Sequence, residues 1–377
     1  MLAQRLTFLR PKKGRNKREN RAMAELDQAK VDAFTQAMTG ILNGGTLALM
    51  TSIGHQTGLF ETLATLPPST SRQIADVAGL NERYVREWLN TMATGKIVTY
   101  APENGTYALP AEHAAVLTKA AGPGNMAAFA RIIPILSKVE PGIVDGFRHG
   151  GGVFYDQFQD FMALWAGVNA QTFERTLVTK VMPLMPEVTT ALQARIVALD
   201  IGCGEGHSTN LLAQAFPHSR FMGYDLREGA LEEARAKAAS LGLRNVRFVR
   251  QDLGTLDERE VYGLVTAFDV IHDQAQPRTV LKNVAAVLKQ GGTFLMVDIK
   301  ASSDVQENLD HPMGPFLYTV STMHCMTVSL ARNGEGLGAM WGEQKALEFL
   351  AEAGFRDVTV KQVEGDPFNN FYIAKKH

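Results

Sequence analysis

Cysteine is nearly missing from this chain, with Cys203 and Cys325 the only two in 377 residues. That is too few for a disulfide framework, and it favours a reducing compartment, so the expected location is the cytoplasm. Apolar runs of membrane-spanning length are also missing, which excludes a transmembrane helix even though 45% of the residues are hydrophobic. No internal repeat appears, and no low-complexity tract beyond one basic stretch. A lone His324-Cys325 pair has no second cluster at metal-ligand spacing, so no metal is expected. The net charge of −1 is unevenly spread: residues 1–22 carry eight basic side chains against Glu19, leaving −8 on the remainder. An acidic body does not favour non-specific nucleic-acid binding. The leader lacks the apolar core of a secretion signal. Met23, followed by Ala24-Glu25-Leu26-Asp27, reads as a start, so residues 1–22 are expected to be disordered and dispensable.

What the chain does have is concentrated at Val197-Ala198-Leu199-Asp200-Ile201-Gly202-Cys203-Gly204-Glu205-Gly206. An apolar strand ends in an acid, then glycines at alternate positions let backbone N–H groups approach a ligand closely. Ser208 and Thr209 are placed to cap a helix with Leu211, Leu212 and Phe216 on its apolar face. Asp225 ends a second apolar run 19 residues after Gly206, where an acid can take both hydroxyls of a ribose. The pattern reads as a nucleoside-cofactor loop. A dinucleotide fingerprint wants its third glycine where His207 stands, and Asp200 would repel a pyrophosphate, so NAD is disfavoured. A carboxylate at Asp200 could instead face the amino group of a methionine tail.

These residues resemble the S-adenosylmethionine loop of class I methyltransferases, and the resemblance extends over the rest of the chain. The segment 228–241 places Leu231, Ala234, Ala238 and Leu241 on one helical face closed by Gly242. Val246 to Gln251 alternates as a third strand, and Ala267-Phe268-Asp269-Val270-Ile271 forms a fourth. Pro277 opens a helix with Val280, Leu281, Val284, Val287 and Leu288 facing inward, ending before Gln290-Gly291-Gly292. Thr293 to Asp298 is a fifth strand, and Val358 to Gln362 with Asn370 to Ala374 would close the sheet as an antiparallel pair. The expected fold is therefore α/β: a doubly wound, seven-stranded, Rossmann-like methyltransferase sheet with its ligand at the carboxyl ends of the strands. The resemblance implies S-adenosylmethionine as cofactor, S-adenosylhomocysteine as product, and a cofactor site of Asp200, Gly202, Cys203, Gly204, Gly206, Asp225, Leu226, Asp252, Leu253 and Phe268. In that site Asp252 would meet the adenine amino group, with Leu253 beside the ring.

Ile271-His272-Asp273 resembles the loop in which small-molecule O-methyltransferases of this architecture place their base, so His272 is the expected general base. Imidazole with an ordinary pKa of about 6.5 is mostly neutral near pH 7 and can take a hydroxyl proton. The tryptophan-rich continuation of the plant enzymes is replaced by Gln274-Ala275-Gln276, which leaves open a role that only shapes the loop. Ser321 to Thr327 lies where the superfamily inserts a helical cap over the acceptor. His324, Met326 and Trp341 are therefore expected to touch the substrate, and Tyr155, after the glycine-rich 149–152 turn, is expected to reach over cofactor or acceptor as a lid. Runs like Ile271-His272-Asp273-Gln274-Ala275, Ser321 to Met326 and Asp366-Pro367-Phe368-Asn369-Asn370 also resemble an uncharacterised bacterial-type group. A small, hydrophobic or aromatic acceptor is expected, most simply methylated at oxygen.

Upstream, residues 47–117 read as a winged helix. Thr70-Ser71 caps a short helix to Ala78, and Glu82 to Ala93 places Val85, Trp88, Leu89 and Met92 on one face. Strands 97–100 and 106–109 flank an Asn104-Gly105 turn. Arg83 and Arg86 are matched by Glu82 and Glu87, which leaves no positive reading face, so DNA binding is disfavoured. By resemblance the unit dimerises, consistent with the apolar Leu47-Ala48-Leu49-Met50 segment. The expected domains are a basic leader (1–22), a winged-helix dimerisation domain (23–118), a helical linker (119–190) and the methyltransferase domain (191–377). The alternative reading is an S-adenosylmethionine-binding transcriptional regulator that uses the winged helix on DNA.

Overall fold

The computed structural model describes residues 26–377; the basic leader and the proposed start at Met23 fall outside the described residues. The chain divides into two compact units, one running to Ala120 and including Met126–Arg131, the other made of Ala121–Asn125 and Ile132–His377. Residues 132–190, read above as linker, lie in the second unit.

In the first unit a long helix, Gln28–Thr57, precedes Leu59–Thr65, Ser71–Ala78 and Glu82–Thr94. The Ser71–Ala78 helix opens with a full capping box: Thr70 and Gln73 satisfy each other's backbone N–H groups. Val85, Trp88, Leu89 and Met92 are buried, and the Trp88 indole donates to the Met50 carbonyl at 2.7 Å. The wing is a hairpin of β1 (Thr99–Ala101) and β2 (Thr106–Ala108), shorter than the expected strands at the ends away from the turn, where Gly105 adopts φ +62°.

The second unit is built on a seven-stranded sheet of β3 (Val197–Ile201), β4 (Arg220–Asp225), β5 (Val246–Arg250), β6 (Tyr262–Phe268), β7 (Leu288–Ile299), β8 (Asp357–Val363) and β9 (Asp366–Lys375). Their order is β5-β4-β3-β6-β7-β9-β8; the first five are parallel, and β9 lies antiparallel between β7 and β8. Both faces are covered, so the strands are apolar on both sides. Leu199, Val265, Phe294 and Met296 pack with the helices Pro277–Val287 and Gly342–Glu352. Their neighbours Ala198, Leu264, Leu295 and Val297 face Phe173 and Leu177 on the other side. The order reverses between β3 and β6, which opens a crevice at the carboxyl ends of the strands.

Three elements differ locally from expectation. β6 starts at Tyr262 and ends at Phe268, because Asp269 adopts the left-handed φ of +56° and breaks the strand. β7 starts five residues early at Leu288, beside Tyr262, with a register shift before Thr293. The helix Glu228–Ser240 buries Leu231, Ala234 and Ala238, but Leu241 falls past its end and is 40% exposed.

Candidate active site

The glycine loop turns on three left-handed residues, Gly202 (φ +63°), Gly204 (φ +53°) and Gly206 (φ +69°). A Cβ at Gly202 would meet Val270 at 2.6 Å, and one at Gly206 would meet Ala234 and Phe248 at 2.7 Å. At Gly204 only the tip of Arg227 comes near, at 3.3 Å, so this glycine borders open space. The helix His207–Ala215 starts directly after Gly206 without a side-chain cap. The expected caps are used otherwise: Ser208 and Thr209 donate to one oxygen of Asp200 at 2.7 and 2.6 Å, and Thr266 donates to the other at 2.8 Å. Burial raises the Asp200 pKa, and the three hydroxyls oppose that rise. Asp200 therefore ties β3, β6 and the first turn of the following helix together at the cavity wall. Asp225 does the same for the loop's outer edge, accepting the Gly204 and Arg227 backbone N–H groups at 2.9 Å each.

Around this loop lies a cavity of about 730 Å3, a size that suits a drug-sized ligand. Asp200, Gly202, Cys203, Gly204, Asp225, Leu226, Leu253, Phe268 and Tyr155 all line it. Gly206 and Asp252 do not. Gly206 packs inward, and the exposed Asp252 carboxylate accepts the Gly254 N–H at 2.8 Å, leaving Gln251 at the wall. The roof, which the sequence reading treated only as a connecting helix, is Gln159–Thr176; it presents Met162, Trp165, Asn169 and Phe173. Buried Cys203 has its thiol pKa held well above the ordinary value, so it is a packing residue.

A second cavity, of about 60 Å3, continues from the first and shares Tyr155, Met162, Trp165, Asp269 and Asp273 with it. His272 and His324 line it. His272 is 3% exposed, and its Nδ1 lies 2.7 Å from Asp298 Oδ1. Its Nε2 lies 3.3 Å from Asp273 Oδ1, without the alignment of a hydrogen bond. Burial alone would push the imidazole pKa down, but Asp298 and Asp273 outweigh it and hold the ring well above its ordinary value. The direction of this shift runs against the expectation of a ring with an ordinary imidazole pKa. Asp298 was not singled out from the sequence, although it ends an apolar strand as Asp225 does.

His324 sits in a turn of π-helix, Ser321–Cys325, against the rings of Phe161 (4.3 Å), Phe158 (4.8 Å) and Tyr155 (5.5 Å). It is 2% exposed with both nitrogens unpartnered, and burial lowers its pKa to about 4. The other two expected substrate residues border neither cavity. Trp341 is core, packed edge-on to Phe349 at 5.8 Å, and Met326 lies beside Gly338. His272, Asp273 and Cys325 present donor atoms within 4.8 Å of one another and could hold an ion. A closed structural zinc site takes four protein ligands where this group offers three, and burial pushes the Cys325 thiol up to about 12.

Residues 45–119 match the Rv2258c-like winged HTH domain, and residues 192–354 match a methyltransferase domain. Trans-aconitate 2-methyltransferase from Methylobacterium nodulans is 28% identical over 151 residues, which are 40% of this chain and 53% of that protein. The chain thus spans about half the length of that curated relative. Solved structures of methyltransferases share the fold, two of them as follows. One is a candidate O-methyltransferase from Nostoc punctiforme PCC 73102, with TM-score 0.69 and 16% identity over 90% of this chain and 98% of that one. The other is human N-acetylserotonin methyltransferase in complex with S-adenosylmethionine, with TM-score 0.62 and 19% identity over 93% of this chain and 99% of that one.

Proposed function

We infer, from a chain that carries a class I, S-adenosylmethionine-dependent methyltransferase domain behind a winged helix, that it methylates a small hydrophobic or aromatic acceptor at oxygen, with His272 as general base. The observation that carries this reading is the buried Asp298–His272 pair, at 2.7 Å, at the end of a cavity continuous with the glycine loop. The larger cavity suits the cofactor, since Gly204 leaves room for close backbone approach and Asp225 stands at its rim. Gly202, Cys203, Gly204, Asp225, Leu226, Leu253 and Phe268 would hold it, with Asp200 fixing the loop and Tyr155 covering it. When bound, S-adenosylmethionine supplies an electrophilic methyl on a sulfonium. The chain's own task is then to align the acceptor and remove its proton. Asp298 holds Nδ1, which leaves Nε2, 3.3 Å from Asp273 Oδ1, as the nitrogen to take the acceptor hydroxyl's proton.

In this account His272→Ala loses about 10²- to 10⁴-fold in kcat, the usual contribution of a general base, while S-adenosylhomocysteine affinity is kept. Near-normal turnover of a genuine acceptor by that variant would remove His272 from the chemistry. We also assign the winged helix to homodimerisation rather than DNA. Phe34, Ile41 and Leu42 are exposed on the Gln28–Thr57 helix, and Arg86 pairs with Glu82 at 3.3 Å on the helix that would read bases. No described helix is long and apolar enough to cross a membrane, and the cytoplasm is the compartment that fits two free cysteines.

A further inference from the structure

The smaller cavity has an imbalance that proton removal from a hydroxyl does not explain. Three buried acceptors on residues that line it lack a hydrogen-bond partner: Asp269 Oδ1, one nitrogen of His324, and Asp273 Oδ1, which only lies 3.3 Å from His272 Nε2. His324 is neutral at physiological pH, so one ring nitrogen accepts and the other donates. Leaving buried polar groups unsatisfied is costly, and such groups need an explanation. The charges lean the same way. Asp269 and Asp273 border the cavity and Asp298 stands behind His272; burial and Asp298 push the Asp269 carboxyl up to about 7, a shift that a cation beside it would reverse. Tyr155, Phe161, Trp165 and Phe316 supply the walls, with Phe161 and Trp165 stacked at 6.0 Å. At about 60 Å3 the space holds a head group, while the body of a ligand extends past Tyr155 and Trp165 into the larger cavity.

We propose that this cavity binds the protonated amine of the acceptor, with Asp269, Asp273 and His324 receiving its N–H groups and the aromatic walls facing its charge. An ammonium has three donors and no acceptor, which matches three unpartnered acceptors. Aromatic faces attract such a cation. A carboxylate in the same place would meet the carboxyl groups of Asp269 and Asp273, and the one basic ring beside them, His272, is already paired with Asp298. The inference rests on the reading that the smaller cavity is the acceptor end of the site, and it concerns what holds the acceptor, not which atom is methylated. Asp269 is thereby a specificity residue: its left-handed backbone (φ +56°) and the Asn169 amide, 3.3 Å from its Oδ2, fix one oxygen and leave the other free.

The test is calorimetric titration of the full chain with benzylamine, benzyl alcohol and benzoate, three single-ring probes that differ in the head group, both with and without saturating S-adenosylhomocysteine. Benzylamine is expected to bind at least about tenfold more tightly than benzyl alcohol, the scale of one charge-assisted hydrogen bond, with benzoate weakest. In Asp269→Asn, whose new side chain tolerates a left-handed backbone, the benzylamine advantage falls to about twofold or less while benzyl alcohol changes less than about twofold. His324→Phe keeps the wall and also reduces the advantage. Equal affinities, a preference for benzoate, failure of benzylamine to bind, or an advantage that survives both variants overturns the proposal. If benzylamine is preferred but S-adenosylhomocysteine does not bind, the cofactor reading fails and this inference stands; the reverse outcome separates them the other way.

Discussion

His272 lies between Asp298 and Asp273, and the sign of its pKa shift sets the pH range in which the ring can accept a proton. Both carboxylates stabilise the imidazolium, so the folded-state pKa is raised and the base form grows in at higher pH than for an ordinary imidazole. The expected outcome is a kcat/KM that increases from neutral into alkaline pH. Asp298→Asn removes one of those anions, so the increase should move to lower pH while the maximum falls through lost orientation; a pH–rate profile with unchanged position would contradict the coupling. Part of this site was legible as residues. Asp200, Asp225 and the glycines announce themselves by standing where an apolar strand stops. Asp298 has the same signature and could have been found by it. His324 and Asp269 could not be assigned partners in this way, because the contact between segments 269–273 and 321–325 is made only by folding. Trp341 shows the opposite error: an aromatic near suggestive glycines is more simply a core residue, here against Phe349.

At the scale of elements, strand and helix periodicity delivered the alternating β/α order, since buried parallel strands and amphipathic helices each leave a period of their own. It did not deliver the position of β9 between β7 and β8, because pairing register is a long-range property. Nor did it separate a helix cap from a strand tie: Ser208 and Thr209 satisfy the pattern for both, and the hydrogen bonds to Asp200 decide it. The glycine loop gives a graded expectation. Gly206→Ala combines left-handed strain with contacts at 2.7 Å to Ala234 and Phe248, and should cost about 2–4 kcal/mol in denaturant unfolding. Gly204→Ala faces open space apart from Arg227, so it should cost about 1–2 kcal/mol, the strain alone. Equal losses would mean that the packing of Gly206 is not what holds the loop.

The whole molecule pairs a cavity-bearing sheet unit with a winged helix whose long leading helix leaves apolar side chains in solvent. Phe34, Met38, Ile41, Leu42, Leu49 and Ile53 are exposed along Gln28–Thr57 at mostly helical spacing, a stripe expected to be covered by a partner. The sequence reading centred that surface on residues 47–50, but Leu47 and Met50 pack on the unit's own core, so the exposed stripe is mostly upstream. Ile41→Asp combined with Leu42→Asp should convert a dimer to a monomer in sedimentation velocity, and a wild-type chain that already sediments as a monomer would refute the assignment. The central claim is that the cavity over the glycine loop takes a methionine-tailed nucleoside. Its most direct test is calorimetric titration with S-adenosylhomocysteine and, separately, NADH, using the wild type and Asp225→Ala. Saturable binding of S-adenosylhomocysteine, weakened at least about tenfold by loss of the Asp225 carboxylate, is the predicted result. Saturable binding of NADH with none of S-adenosylhomocysteine would contradict the account.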